Sequence, residues 1–181
     1  MSRPRIALSA CLQGERTRYD GADKGDAALV SALAAEAELI AVCPEVELGM
    51  GVPREPIQLV RAGPGQIAWG GPAVRLLGRE SGVDHTVAME RFCARRVAEL
   101  AELGIDGFIF KRDSPSCGLA EVRVLAPDGS CARVGRGLFA RALTSALPDL
   151  PVAEAEQLAR DEELRRFLAR CHLTRRARSQ M

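Results

Sequence analysis

Three short apolar runs in this chain each lead into a turn that carries a cysteine. Ile6-Ala7-Leu8-Ser9-Ala10 precedes Cys11, Leu39-Ile40-Ala41-Val42 precedes Cys43, and Gly107-Phe108-Ile109-Phe110 leads to Ser114-Pro115-Ser116-Cys117-Gly118. Runs of four or five apolar residues bounded by turn formers have the length of strands, and unbroken apolarity marks strands covered on both faces. Parallel strands need long crossovers, and the crevice beyond their carboxyl ends is where open α/β sheets bind ligands. Residues far apart in sequence can therefore meet at one edge. The expected fold is α/β and Rossmann-like, a mostly parallel sheet flanked by helices in a single domain.

At 181 residues the chain has the size of one ordinary domain and needs no disulfide or structural metal merely to fold. Apolar residues make up 47% and charged residues 27%, a globular mixture rather than a disordered one. The formal net charge of +1 gives no general electrostatic reason to expect DNA or an anionic membrane as partner. No run approaches the roughly 20 apolar residues that span a bilayer. Met1-Ser2-Arg3-Pro4-Arg5 ahead of Cys11 superficially resembles a lipoprotein leader, yet only about five apolar residues intervene where a signal core needs about 7–15, so a buried first strand is expected. Six cysteines in a chain of this size read as reduced thiols in the cytoplasm. No heptad or exposed apolar stripe points to an oligomer.

Between the cysteine-bearing runs, the alanine-rich stretch from Asp26 to Glu38 reads as a helix, and Pro44 to Pro56, with its prolines and glycines, as a loop. Ile57 to Arg61 and Gln66 to Trp69 flank Ala62-Gly63-Pro64-Gly65 as the arms of a hairpin. Asp84 or Thr86 can cap a helix to Leu103, in which Met89, Phe92, Cys93, Val97, Leu100 and Leu103 recur near helical spacing and Gly104 is the stop. A strand is expected at Val122 to Leu125, a turn at Pro127-Asp128-Gly129-Ser130, and helices over Leu138 to Ala146 and Glu154 to Cys171. Residues 1–150 carry the site, and 151–181 form a helical extension packed on the same domain, being too few for a core of their own.

A buried cysteine is often only a small hydrophobe, but three at equivalent strand ends form a ligand set. Thiolates favour zinc or iron–sulfur centres, and three protein ligands leave one coordination position open. Spacing does not separate the metals, although the absence of any CxxC weakens a zinc ribbon. Glu45, two residues from Cys43, is positioned to accept and return protons. Ser114 can hydrogen-bond a substrate, with Ser116 the weaker candidate. Asp84 reads as a helix cap. Arg18, Arg54 and Lys111 can balance an anionic centre or a phosphate. Cys93 fits core packing, while Cys131 and Cys171 stand in no comparable motif. The basic run Thr174-Arg175-Arg176-Ala177-Arg178 reads as solvated.

Ser9-Ala10-Cys11-Leu12 with Arg18-Tyr19-Asp20-Gly21, Cys43-Pro44-Glu45-Val46 with Pro53-Arg54, Gly82-Val83-Asp84-His85-Thr86, and Lys111 with Ser114-Pro115-Ser116-Cys117-Gly118 together resemble the thiouracil desulfidase family, in order over about residues 5 to 147. That resemblance implies a four-iron four-sulfur (4Fe-4S) cluster held by Cys11, Cys43 and Cys117 with one iron open, and redox-neutral hydrolytic removal of sulfur from a small thiopyrimidine. For that chemistry Glu45 and Ser114, by their positions, are the expected catalytic residues. The rival expectations are a sulfur carrier, an iron–sulfur redox sensor with no need of Glu45, and a structural zinc protein.

Overall fold

A computed structural model describes residues 3–61 and 74–179. The first strand, β1 (Arg5–Ser9), passes through a single 3-10 turn that carries Cys11. Asp26 then caps α1 (Ala27–Glu36), its carboxylate accepting the Leu29 amide proton at 3.0 Å. The chain returns through β2 (Glu38–Val42), parallel to β1 with Ser9 level with Val42. Later come α3 (Thr86–Leu103), β5 (Gly107–Phe110), α4 (Leu138–Ala146), β8 (Val152–Glu154) and α5 (Asp161–Arg178). Gly104 ends α3 in the left-handed region, at φ 67°, where a side chain would be strained.

The first sheet has the order β2-β1-β5-β8, with every neighbouring pair parallel. The path leaves β1 for β2 on one side and comes back to β5 on the other, so the order reverses beside β1. That reversal opens the crevice in which such sheets bind ligands. Alternation along the strands sets the two faces. Ile6, Leu8 and Ile109 pack on Leu29 and Leu33 of α1 and on Phe167 and Leu168 of α5. Ala7, Phe108 and Phe110 turn to Met89 and Leu100 of α3 and Phe139 of α4, with the Phe108 ring 4.3 Å from Phe110 and 5.5 Å from Phe139.

A second sheet, in the order β4-β3-β6-β7, consists of β3 (Ile57–Arg61), β4 (Val74–Gly78), β6 (Val122–Leu125) and β7 (Cys131–Gly135). Ile57, Leu59, Leu76, Val122 and Val124 on one of its faces join the core against α3 and α4. The alternate residues Arg123 and Leu125 sit in register with Arg133 and Cys131 of β7, and all four line the cavity described below.

Several expectations need correction. Pro44 to Pro56 is not all loop, because Pro44–Glu47 forms a helical turn, α2, with proline at its first position. Proline there loses only an amide that would be unpaired anyway. The hairpin arm expected at 66–69 lies outside the described residues, and the antiparallel partner of β3 is Val74–Gly78. Glu154 belongs to a strand rather than to a helix, and α5 starts at Asp161 and runs past Cys171 to Arg178. Its end is anchored, not solvated: fully buried Asp106 accepts from Arg178 at 2.6 Å and from the Arg5 amide at 2.8 Å. Among the described residues no helix is long and apolar enough to cross a membrane.

Candidate active site

The three strands that deliver Cys11, Cys43 and Cys117 are adjacent, in the order β2-β1-β5, and all three cysteines line one cavity of about 610 Å³ at the carboxyl edge of the sheet. That volume suits a small-molecule site. Cys11 sits in the turn after β1, Cys43 begins α2, and Cys117 is buried in the loop after β5. That loop is clamped by α4, whose first amides, from Leu138 and Phe139, donate to the carbonyls of Pro115 and Ser116 at 3.1 and 3.0 Å. Gly137 lies so close that a Cβ there would strike the backbone of Ser116 and Cys117.

All three thiols are free and resist ionisation. Burial, with Cys43 nearby, pushes Cys11 up to about 11, while Lys111 and Arg18 pull it down. Burial likewise raises Cys43 and Cys117, and the charge of Cys43 adds to the rise at Cys117. Three thiols that repel one another's charge hold thiolates together only when a cation joins them. Among the described residues no three His, Cys, Asp or Glu side chains converge on a point where one metal ion would be held. The expected convergence is thus on one cavity, not on one ion. A thiolate-only donor set lining a common cavity fits a polynuclear iron–sulfur centre, whose ligands bind separate irons, better than a four-ligand zinc.

Glu45 projects from α2 into the same cavity and has both oxygens occupied. Oε2 accepts from Arg54 Nε at 2.9 Å and Nη2 at 2.7 Å, and Oε1 accepts the Ser116 hydroxyl at 2.6 Å. The pair is nearly dry, with 6% of the Arg54 side chain and 12% of the Glu45 side chain exposed. Arg54 also donates to the carbonyls of Thr17 and Gly51 at 3.0 and 2.9 Å, which ties the loop before α1 to the site. It is therefore engaged with Glu45 rather than free to meet a phosphate. Glu47 supports the same turn, accepting the Cys43 amide at 2.9 Å while its other oxygen lies 2.8 Å from Arg96.

Ser114 lines the cavity and accepts the Cys117 amide at 3.0 Å, so it builds the loop as well as facing the site. Asp84 takes no part in the cavity. It accepts the Thr86 amide at 2.9 Å and pairs with Arg75, but the N-cap of α3 is His85 and no side chain caps that end, so the expected capping by Asp84 or Thr86 is not what forms. Cys93 and Cys171 are buried in the two halves of the core. Cys131 stands exposed in the cavity wall on β7, where its sequence context had offered no motif. The same wall adds Arg79, Arg123 and Arg133, a cationic lining that the near-neutral total charge concealed.

A family model described as 2-thiouracil desulfurase matches residues 6–155 of the chain. The Bacillus subtilis protein YbbK, itself uncharacterized, is 32% identical over 113 residues, which span 62% of this chain and 72% of its own length. A solved structure of the [4Fe-4S]-dependent thiouracil desulfidase TudS superposes with a TM-score of 0.63 at 31% identity, covering 86% of this chain and 93% of the other.

Proposed function

The chain belongs to the 2-thiouracil desulfurase family, and from that premise we propose that it hydrolyses the carbon–sulfur bond of a thiolated pyrimidine, with one water giving the oxo-pyrimidine and hydrogen sulfide. The observation that carries this reading is a carboxylate, Glu45, held in the same cavity as three thiols that can bear a metal cluster. A cluster bound by Cys11, Cys43 and Cys117 would supply a Lewis-acidic iron with no protein ligand, able to polarise the thione.

The rest of the chemistry falls to the chain. Glu45 takes the proton of the water that attacks the ring carbon and returns it as the carbon–sulfur bond breaks. Arg54 fixes Oε2, which leaves Oε1 and its hydroxyl partner on the cavity side. Ser114 lines the same wall and holds the Cys117 loop in place, accepting the Cys117 amide at 3.0 Å. Arg18 and Lys111, which ease the ionisation of Cys11, offset the negative charge of a thiolate-held centre. Arg79 and Arg123 line the outer cavity and make no ion pair among the described residues, so a phosphorylated thiopyrimidine nucleotide is favoured over the free base.

Anaerobic purification and incubation with thiouracil, thiouridine and thiouridine monophosphate tests this directly. Sulfide and oxo-pyrimidine should appear one for one. Cys11→Ala, Cys43→Ala and Cys117→Ala should each lose labile sulfide, and Cys93→Ala should keep it. A colourless protein with one zinc and no labile sulfide would overturn the proposal.

A further inference from the structure

Ser116 lies at the junction of the site. It is 1% exposed, and its hydroxyl is 2.6 Å from Glu45 Oε1, 3.0 Å from Ser114 Oγ and 3.8 Å from Cys117 Sγ. A serine hydroxyl has one proton and two lone pairs, so the directions of these bonds can be worked out by counting. Ser114 Oγ already accepts two amides, from Cys117 at 3.0 Å and Ser116 at 3.3 Å. Both of its lone pairs are taken, and its proton points to Ser116 Oγ. Ser116 accepts that proton and gives its own to the acceptor that is closest and bears the charge, Glu45 Oε1. Charge-assisted O–H···O bonds are the short ones, about 2.5–2.7 Å, and this contact falls among them. Cys117 Sγ, farther away, receives at most a share. Arg54 closes the chain on the other oxygen.

The geometry points to Ser116 as the positioning residue of Glu45: its hydroxyl fixes Oε1, and it turns the Ser114 proton toward the carboxylate rather than toward the cavity. It touches neither substrate nor reacting atoms in this role and acts through Glu45. The inference rests on the desulfidase reading above. In sequence, Ser116 is one of two serines flanking Pro115 and the less expected of them, because its partner on α2 is 71 residues away.

A double-mutant cycle distinguishes this role from a purely structural one. Anaerobic holoprotein is prepared as wild type, Ser116→Ala, Glu45→Gln and the double variant. Each is assayed for iron and labile sulfide per chain, the midpoint reduction potential of the cluster, kcat and KM. Misplacing a catalytic group by about 1 Å can cost on the order of 100-fold, so Ser116→Ala should lower kcat at least 10-fold with KM within about twofold. It should leave cluster content and potential unchanged, and it should cost nothing further in the Glu45→Gln background. An equal loss in both backgrounds, an unchanged kcat, or a shift in potential or loss of cluster would each overturn it, the last two by assigning Ser116 to Cys117. A wild-type protein without labile sulfide or sulfide release would instead sink the desulfidase reading itself.

Discussion

Arg54 and Glu45 form an ion pair with 6% and 12% of their side chains exposed, and Arg54→Ala leaves the carboxylate with one hydroxyl partner. Two further bonds go with it, to the carbonyls of Thr17 and Gly51. Breaking a buried pair from one side costs about 3–5 kcal/mol, because the remaining charge is stranded. The cavity lets water reach Glu45, so the lower figure of about 3 kcal/mol applies. At a typical unfolding entropy per residue, a chain this long would then melt about 8 °C lower. Removing both charges removes the stranded one, so Arg54→Ala/Glu45→Ala should recover at least about 1 kcal/mol over Arg54→Ala alone. Thermal and urea unfolding of the three proteins, made anaerobically, measure this. A drop under about 2 °C in Arg54→Ala, or losses that simply add in the double variant, would refute the claim that the pair is dry and coupled.

Two more outcomes follow from the core and from the Cys117 loop. Burial pushes the Cys93 and Cys171 thiols up to about 12 from an ordinary 9.0, and neither lines the cavity. A group whose pKa is raised on folding contributes stability below its unfolded value and loses it as pH climbs toward the folded one. Urea midpoints should therefore fall as pH rises from 9 toward 12, less steeply in Cys93→Ala; equal slopes would contradict it. Gly137 has an ordinary φ of −59°, so Gly137→Ala meets no backbone penalty of its own and is excluded only by the Ser116–Cys117 backbone. Such overpacking costs about 1–3 kcal/mol, with loss of iron from the purified protein. A variant with wild-type melting and full iron content would show that the clamp gives way.

The elements that carried a physical signal were legible in the sequence. The alanine-rich stretch became α1, Gly104 stops α3, and the three apolar runs became adjacent parallel strands. Pro44 was read as a breaker, although a proline followed by Glu45 and Glu47 is also how a helix begins; the two acidic residues at its positive end could have decided the matter. The strand β7 escaped notice because it is exposed along most of its length and shows no apolar alternation. At three residues, β8 is too short to show a period, and only its pairing with β5 makes it a strand. Within the site, the thiols and Glu45 stood out by position. Two features had no local signal at all: the Ser116 bond across 71 residues, and the gathering of Arg79, Arg123 and Arg133 from three strand regions onto one wall.

The arrangement around Glu45 also bears on the rival readings. A redox sensor needs a centre that exchanges electrons, and hydrogen bonds to its sulfurs suffice to tune it. It gains nothing from a cavity of about 610 Å³, nor from a carboxylate buried beside the thiols, which hinders the ionisation of Cys43 and Cys117. Holding Glu45 there takes Arg54, Ser116 and Ser114 in a connected chain, and buried polar groups stabilise a fold only when every member is satisfied. Such a network is a cost that a fold retains where protons must be moved. A sulfur carrier would need an acceptor thiol and an oxidant to take up sulfide as a persulfide, since sulfide and thiol are both fully reduced. Cys131 is the one other thiol in the cavity among the described residues, and it stands exposed on the outer strand. Release of sulfide balances with water alone, and the carboxylate that such a reaction needs is the group this site holds most firmly.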